Sequence, residues 1–305
     1  MKRSIIYILG TVIVSFLVFT ACKKEKEQRA DTDIAIVKHV NHNKQNINIS
    51  VLLDLSDRIN PKKYPNQSME FFQRDLGYIE LISKKFENHI RSKKSRSIND
   101  NIQLFLDPEP ADKELNQKIS DLKIAFNRNN ATKDLILETS KKYVSACGAI
   151  YKQAISDGKY VGSDTWGFFK HKIKNYCVDE NYRNVIVILT DGYIFHKDNK
   201  KREKNRTTYL TPETIKGFGL KTASWKKRFE NNDFGFLPIE ENLEDLEVLV
   251  IGINPEKGNP YEEDVINAYW GKWLKEMKVK KFQLVRADLP SHVDKIIGEF
   301  LLKKN

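Results

Sequence analysis

Two apolar runs stand out along a largely polar chain: Ile47 to Leu53, which stops at Asp54, and Asn184 to Leu189, which stops at Thr190 and Asp191. Each is short, rich in β-branched residues and closes on consecutive apolar positions, Val51 to Leu53 and Val185 to Leu189, the pattern of a buried strand. Leu246 to Ile253 repeats it, and Ile102 to Leu106 and Lys281 to Arg286 give two further strands. Between these runs the spacing of apolar residues changes to three and four. Phe72, Leu76, Ile79, Ile82, Phe86 and Ile90 predict one helix, and Lys133 to Ser156 a second, with Ile136, Tyr143, Cys147, Ile150 and Ala154 on one stripe. A short helix carries Phe169, Ile173 and Tyr176, and two longer ones follow at 265–277 and 293–301. Strands alternating with helices predict an α/β fold, a doubly wound, mostly parallel sheet flanked by helices. Ligands of such sheets bind at the carboxyl ends of the strands, so Asp54 and Asp191 are expected to share the functional edge.

Three stretches fall outside this alternation. From about 193 to 243 the strand and helix signals lapse, and a basic run (Lys197, Lys200, Lys201, Arg202, Lys204, Arg206) and a helix-like Trp225 to Phe229 read as an insertion on the functional edge. Residues 22–45 are mostly polar and read as a flexible tether. Before them, Met1-Lys2-Arg3 and the apolar run Ile5 to Phe19 form a signal peptide over 1–21, too short to span a bilayer comfortably. Its end, Phe19-Thr20-Ala21-Cys22, resembles the lipobox of bacterial lipoproteins, which implies lipidation at Cys22, with palmitate among the acyl groups, and a place in the bacterial cell envelope on the periplasmic face or the cell surface. The domain proper then runs over 46–305.

Composition adjusts this picture only slightly. Cleavage removes the charges of Lys2 and Arg3 and lowers the formal net charge from +11 to +9. In an exported, lipid-anchored chain that excess suits acidic partners or anionic lipid, and nucleic acid is not expected. Of three cysteines, Cys147 and Cys177 remain after lipidation, expected as buried thiols, with a disulfide between them as the alternative in an oxidising compartment. No zinc-ligand spacing occurs, and Gly217-Phe-Gly219-Leu-Lys221-Thr222 has the wrong spacing for a phosphate loop.

The candidate chemistry lies in Asp54, Ser56, Thr165 and Asp191, carboxylates and hydroxyls without histidine or thiol. Such hard oxygen donors suit magnesium, with calcium or manganese as alternatives. Asp54-Leu55-Ser56 after one apolar strand, a separate loop bearing Thr165, and Thr190-Asp191-Gly192 after a second strand resemble the von Willebrand factor type A (VWA) domain and its metal-ion-dependent adhesion site. The resemblance runs from about Ile47 to Leu302 and implies a Rossmann-type sheet. It also implies a divalent cation at Asp54, Ser56, Thr165 and Asp191, with a protein ligand's acidic side chain completing the coordination, and no catalysis. One position departs: where that motif has a second serine, this chain has Arg58. A guanidinium there either turns into solvent beside a weakened metal site or replaces the ion and meets the acidic ligand itself, with Asp57 and Asp164 as neighbouring charges. Two alternatives carry other functions. One is a metal-dependent hydrolase or phosphoryl-transfer enzyme, disfavoured because Ser56 stands where an Asp-x-Asp motif needs its second aspartate. The other is a metal-free scaffold of an envelope complex.

Overall fold

The computed structural model describes residues 46–303 except 159 and 161. The signal peptide, Cys22 and the tether lie outside the described residues. In chain order the elements are β1 (Ile47–Leu53), a 3-10 turn (Asp57–Ile59), α1 (Phe71–Arg91), β2 (Asn99–Leu106), α2 (Lys113–Ser120), β3 (Ile124–Asn127), α3 (Lys133–Asp157), α4 (Thr165–His171), α5 (Ile173–Cys177) and β4 (Arg183–Leu189). There follow β5 (Arg202–Glu203), β6 (Arg206–Thr207), α6 (Pro212–Gly217), α7 (Trp225–Asn231), β7 (Gly235–Phe236), β8 (Leu246–Ile253), α8 (Glu262–Glu276), β9 (Lys281–Arg286) and α9 (Pro290–Leu302).

The main sheet has the order β3-β2-β1-β4-β8-β9, with β3 antiparallel and every other pairing parallel. The chain builds outward from β1 in one direction and then, with β4, in the other. The boundary between β1 and β4 is therefore the switch point, where the loops leaving adjacent strands part and open a crevice. The three central strands are mostly apolar because both faces are covered, their polar residues falling mainly in the opening half, at Asn48, Ser50, Arg183, Asn184 and Glu247. On one face Ile49, Val51 and Leu53 of β1 join Val185, Val187 and Leu189 of β4 against Tyr78, Ile82, Tyr151 and Ile297 of the α1, α3 and α9 layer. On the other, Leu52, Ile186, Ile188, Val248 and Val250 meet Phe168, Phe169, Tyr269, Trp270 and Trp273.

Register places the strand ends together: Leu53 pairs with Leu189, and the Asp54 N–H donates to the Leu189 carbonyl at 3.0 Å. Gly252 interrupts β8 with a φ of +109°, and a Cβ there would stand 2.8 Å from the Thr190 carbonyl oxygen, so only glycine lets β8 approach the end of β4 this closely. The stretch after β4 holds a small sheet of its own, β5-β6-β7, packed with α8. Cys147 and Cys177 are both buried and free. The short helix expected around Phe169 and Tyr176 divides at Lys172 into α4 and α5, and Tyr176 is exposed, edge-on to Phe105, instead of joining the core.

Candidate functional site

Asp54 ends β1 with its side chain buried under the crevice. One carboxylate oxygen accepts the Ser56 N–H at 2.8 Å, and the other accepts the Thr190 hydroxyl at 2.9 Å. These two contacts come from the strand's own turn and from the neighbouring strand, so the position of Asp54 is fixed by the β1–β4 register. Asp191 follows Thr190, and its Oδ1 accepts the Tyr193 N–H at 3.0 Å. Gly192 makes that turn with a φ of +96°, and a Cβ there would stand 2.7 Å from Ile266. Burial, and then the Asp54 charge, push the Asp191 carboxyl up to about 7, against the opposing pull of Arg58.

Arg58 is neither in solvent nor presented as an open anion receptor. The 3-10 turn carries its side chain inward, leaving 6% of the residue exposed. Nη2 donates to Asp75 Oδ2 at 2.7 Å, to the Leu189 carbonyl at 3.0 Å and to the Asp54 carbonyl at 3.3 Å, while Nε lies 3.5 Å from Asp54 Oδ2 without a hydrogen bond. Asp75, from α1, is itself 2% exposed and also accepts the Tyr151 hydroxyl at 2.9 Å. Burial alone would favour loss of the Arg58 proton; Asp75 and Asp54 outweigh it and raise the guanidinium's pKa, so the charge is retained. The solvent-facing orientation is thus corrected: Asp75 on the facing helix draws Arg58 inward.

The remaining candidates occupy different positions around a cleft of about 950 Å³. Ser56, Asp57, Arg58, Ser163 and Asp191 line it with Asp54, and Tyr64, Tyr160, Tyr193 and Phe195 form part of its walls. Asp57 faces Lys63 in an exposed ion pair. Thr165 is buried at the start of α4, and its hydroxyl meets that of Ser163 at 2.8 Å; of the two, Ser163 lines the cleft. Asp164 caps α4, accepting the Gly167 N–H at 2.9 Å, and also accepts the Asn199 amide at 2.7 Å. Asp75 and Tyr151 had a signal in the sequence: a carboxylate at 75 falls on the same helical stripe as Ile79, Ile82 and Phe86, and Tyr151 on that of Cys147 and Ala154.

The donor set fits a hard divalent cation in one respect that matters. Arg58 brings one positive charge, shared between Asp75 at 2.7 Å and Asp54 at 3.5 Å, so the carboxylates of Asp54, Asp75 and Asp191 outnumber it, with the Ser56 and Ser163 hydroxyls in the cleft lining. Among the described residues no group of three or more His, Cys, Asp or Glu side chains is arranged to hold a metal, so an ion here would depend on hydroxyls and water for its other ligands.

No protein-family model matches the chain, and no curated protein matches it. Among solved structures it is similar to an aerotolerance-related membrane protein from Bacteroides fragilis, at 13% identity and a TM-score of 0.37, covering 85% of this chain and 100% of that one. It is also similar to the manganese-loaded TRAP protein of Plasmodium vivax, at 13% identity and a TM-score of 0.37, covering 85% and 74%. The pilus adhesin SpaC of Lactobacillus rhamnosus GG gives 10% identity and a TM-score of 0.38 over 83% of this chain and 30% of that one. Overlaps this loose leave the fold to be stated from the chain's own sheet, which is α/β, doubly wound and mostly parallel, with a cleft at its switch point. That is the layout the VWA resemblance implies.

Proposed function

We propose that this chain is an exported, lipid-anchored binding protein of the bacterial envelope. Its domain takes an acidic side chain of a protein ligand in the cleft at the β1–β4 switch point, through a divalent cation, without catalysis. The observation that supports this reading most is the balance of charge: the single guanidinium of Arg58 stands among the carboxylates of Asp54, Asp75 and Asp191, and Asp54 and Asp191 end adjacent strands in the lining of the cleft. Asp54, Ser56 and Asp191 would hold the ion, and Thr165 would act through or beside Ser163. A bound cation supplies open coordination positions for a carboxylate. The protein supplies the fixed position of Asp54, clamped by Ser56 and Thr190, and walls of Tyr64, Tyr193 and Phe195 that narrow access. Magnesium titrated into the purified domain and followed by calorimetry and thermal melting tests this. Binding and stabilisation are expected for the native chain and are lost in Asp54→Ala with Asp191→Ala; identical melting in chelator and in magnesium overturns it.

A second, metal-free reading is favoured by the approach of Arg58 to Asp54. The buried guanidinium would then serve as the site's permanent cation, and the same titration separates the two. Anchoring at Cys22 is tested independently, by palmitate incorporation in cells that is lost in Cys22→Ser.

A further inference from the structure

The basic run after Asp191 forms a built feature of the small sheet. The β5–β6 hairpin is fastened by its one half-buried cation: Arg206 makes bidentate contacts to Asp233 at 2.8 and 3.0 Å and to Glu276 at 2.9 and 3.0 Å, and donates to the Phe236 carbonyl. At its tip the Asn205 amide donates to the Asn232 carbonyl, and at its base Thr208 bonds the Lys201 N–H and the Asn199 carbonyl. The hairpin and the segment leading into it carry Lys197, Lys200, Lys201, Arg202 and Lys204, all exposed and none with an ion-pair partner among the described residues, against two exposed acids, Asp198 and Glu203. Two of the cations are held in place by aromatic rings. Lys200 Nζ lies over Phe195 at 5.8 Å and over Tyr209 at 5.6 Å, and the Arg202 guanidinium lies over Phe218 at 4.7 Å.

Solvated lysines are the usual content of a basic loop, and they carry no fixed geometry. Here five exposed cations outnumber the two exposed acids among them on a braced hairpin, while Asp233 and Glu276 are taken up by Arg206, with Lys272 also on Asp233. Fixing like charges costs free energy in the free protein and returns it as affinity when opposite charge arrives, because less freedom is lost on binding. Phe195 joins this face to the cleft: it is 45% exposed, lines the cleft wall, and carries Lys200 over its ring.

We infer that the hairpin face is the outer half of the ligand site and that it docks an acidic protein segment, several carboxylates long, whose leading side chain enters the cleft. The inference deepens the proposed function and rests on it for the carboxylate in the cleft. Charge complementarity selects the occupant, and the shared Phe195 sets the direction in which it runs.

Fluorescence anisotropy of a labelled glutamate-rich peptide with the purified domain in magnesium provides the test. The variant Lys200→Gln, Lys201→Gln, Arg202→Gln, Lys204→Asn is compared with a control that removes as many exposed cations elsewhere, Lys94→Gln, Arg96→Gln, Lys123→Gln, Arg128→Gln. The hairpin variant is expected to bind about tenfold or more weakly at low salt, with a shallower salt dependence, and the control to bind within about twofold of the native chain. Equal losses in both variants, or none in either, overturn the inference. So does hairpin-dependent binding of phosphatidylglycerol vesicles without binding of the peptide. Loss in Asp54→Ala with Asp191→Ala but not in the hairpin variant keeps the cleft reading and overturns this one; the reverse supports the hairpin contact and removes the cleft reading.

Discussion

Arg58 is the residue whose environment differs most from what its neighbours in sequence suggest. A charge inside a protein is tolerated only with a partner, and removing one member of a buried pair leaves the other uncompensated. Arg58→Met is therefore expected to cost about 3–5 kcal/mol in urea denaturation, and Asp75→Asn a similar amount. The double variant should recover part of the loss, because no charge at position 75 is left facing no partner, while Asp54 still lacks the nearby guanidinium. Asp191 gives a separate signature in pH. Its carboxyl ionises near 4 in the unfolded chain and at about 7 in the folded one, so between these values the native state holds the extra proton. Stability is then expected to fall as pH rises from about 4 to about 7 and to level off above, by less than about 4 kcal/mol. Denaturation midpoints measured across that range should lose this slope in Asp191→Asn. The two strand-end aspartates were legible in the sequence because each ends an apolar run. The direction taken by Arg58 was not, since it depends on Asp75, which α1 brings from seventeen residues away.

At the scale of elements, the strands that read clearly were those buried on both faces. The first half of β2, Asn99 to Asn101, was missed because it is polar, yet Asp100 is fully buried, accepting the Ile47 N–H at 2.8 Å, Lys93 at 2.7 Å and His89 at 3.0 Å. Its burial favours the protonated form, and these partners outweigh that and hold its pKa below the usual carboxylate range. β3 and the three short strands of the small sheet have two to four residues each, too few to show a period. A different element is fastened by a single side chain. Arg183, opening β4, pairs bidentately with buried Glu247 of β8 at 2.6 and 2.9 Å and donates to the Phe300 and Leu301 carbonyls at the end of α9. That guanidinium satisfies carbonyls that the last helical turn leaves open. Arg183→Met combined with Glu247→Gln, which leaves no unpaired carboxylate in β8, is expected to speed amide exchange in α9 selectively, since the helix loses its C-terminal tie while its apolar face stays packed.

For the whole molecule, the sheet order follows from a feature that single strands do not carry. Apolar runs and helical stripes indicated the layers, but the placement of β4 on the far side of β1 from β2 is decided by tertiary packing, and it creates the crevice. The insertion was located by the loss of pattern; its fold was hidden because long-range apolar contacts, such as Phe229 and Phe236 against Tyr269 and Trp273 of α8, and not local periodicity, assemble it. The two buried thiols lead in a practical direction. Burial pushes the Cys177 thiol up to about 12, although the Ser50 hydroxyl works against it, and pushes Cys147 higher still. One belongs to the apolar layer on each side of the sheet, Cys147 with α1, α3 and α9 and Cys177 with the α4 and α8 side. Alkylation in native buffer therefore becomes a two-channel clock: equal labelling rates at both sites mean that the layers come apart together, and a faster Cys177 means that the α4 and α8 side opens first.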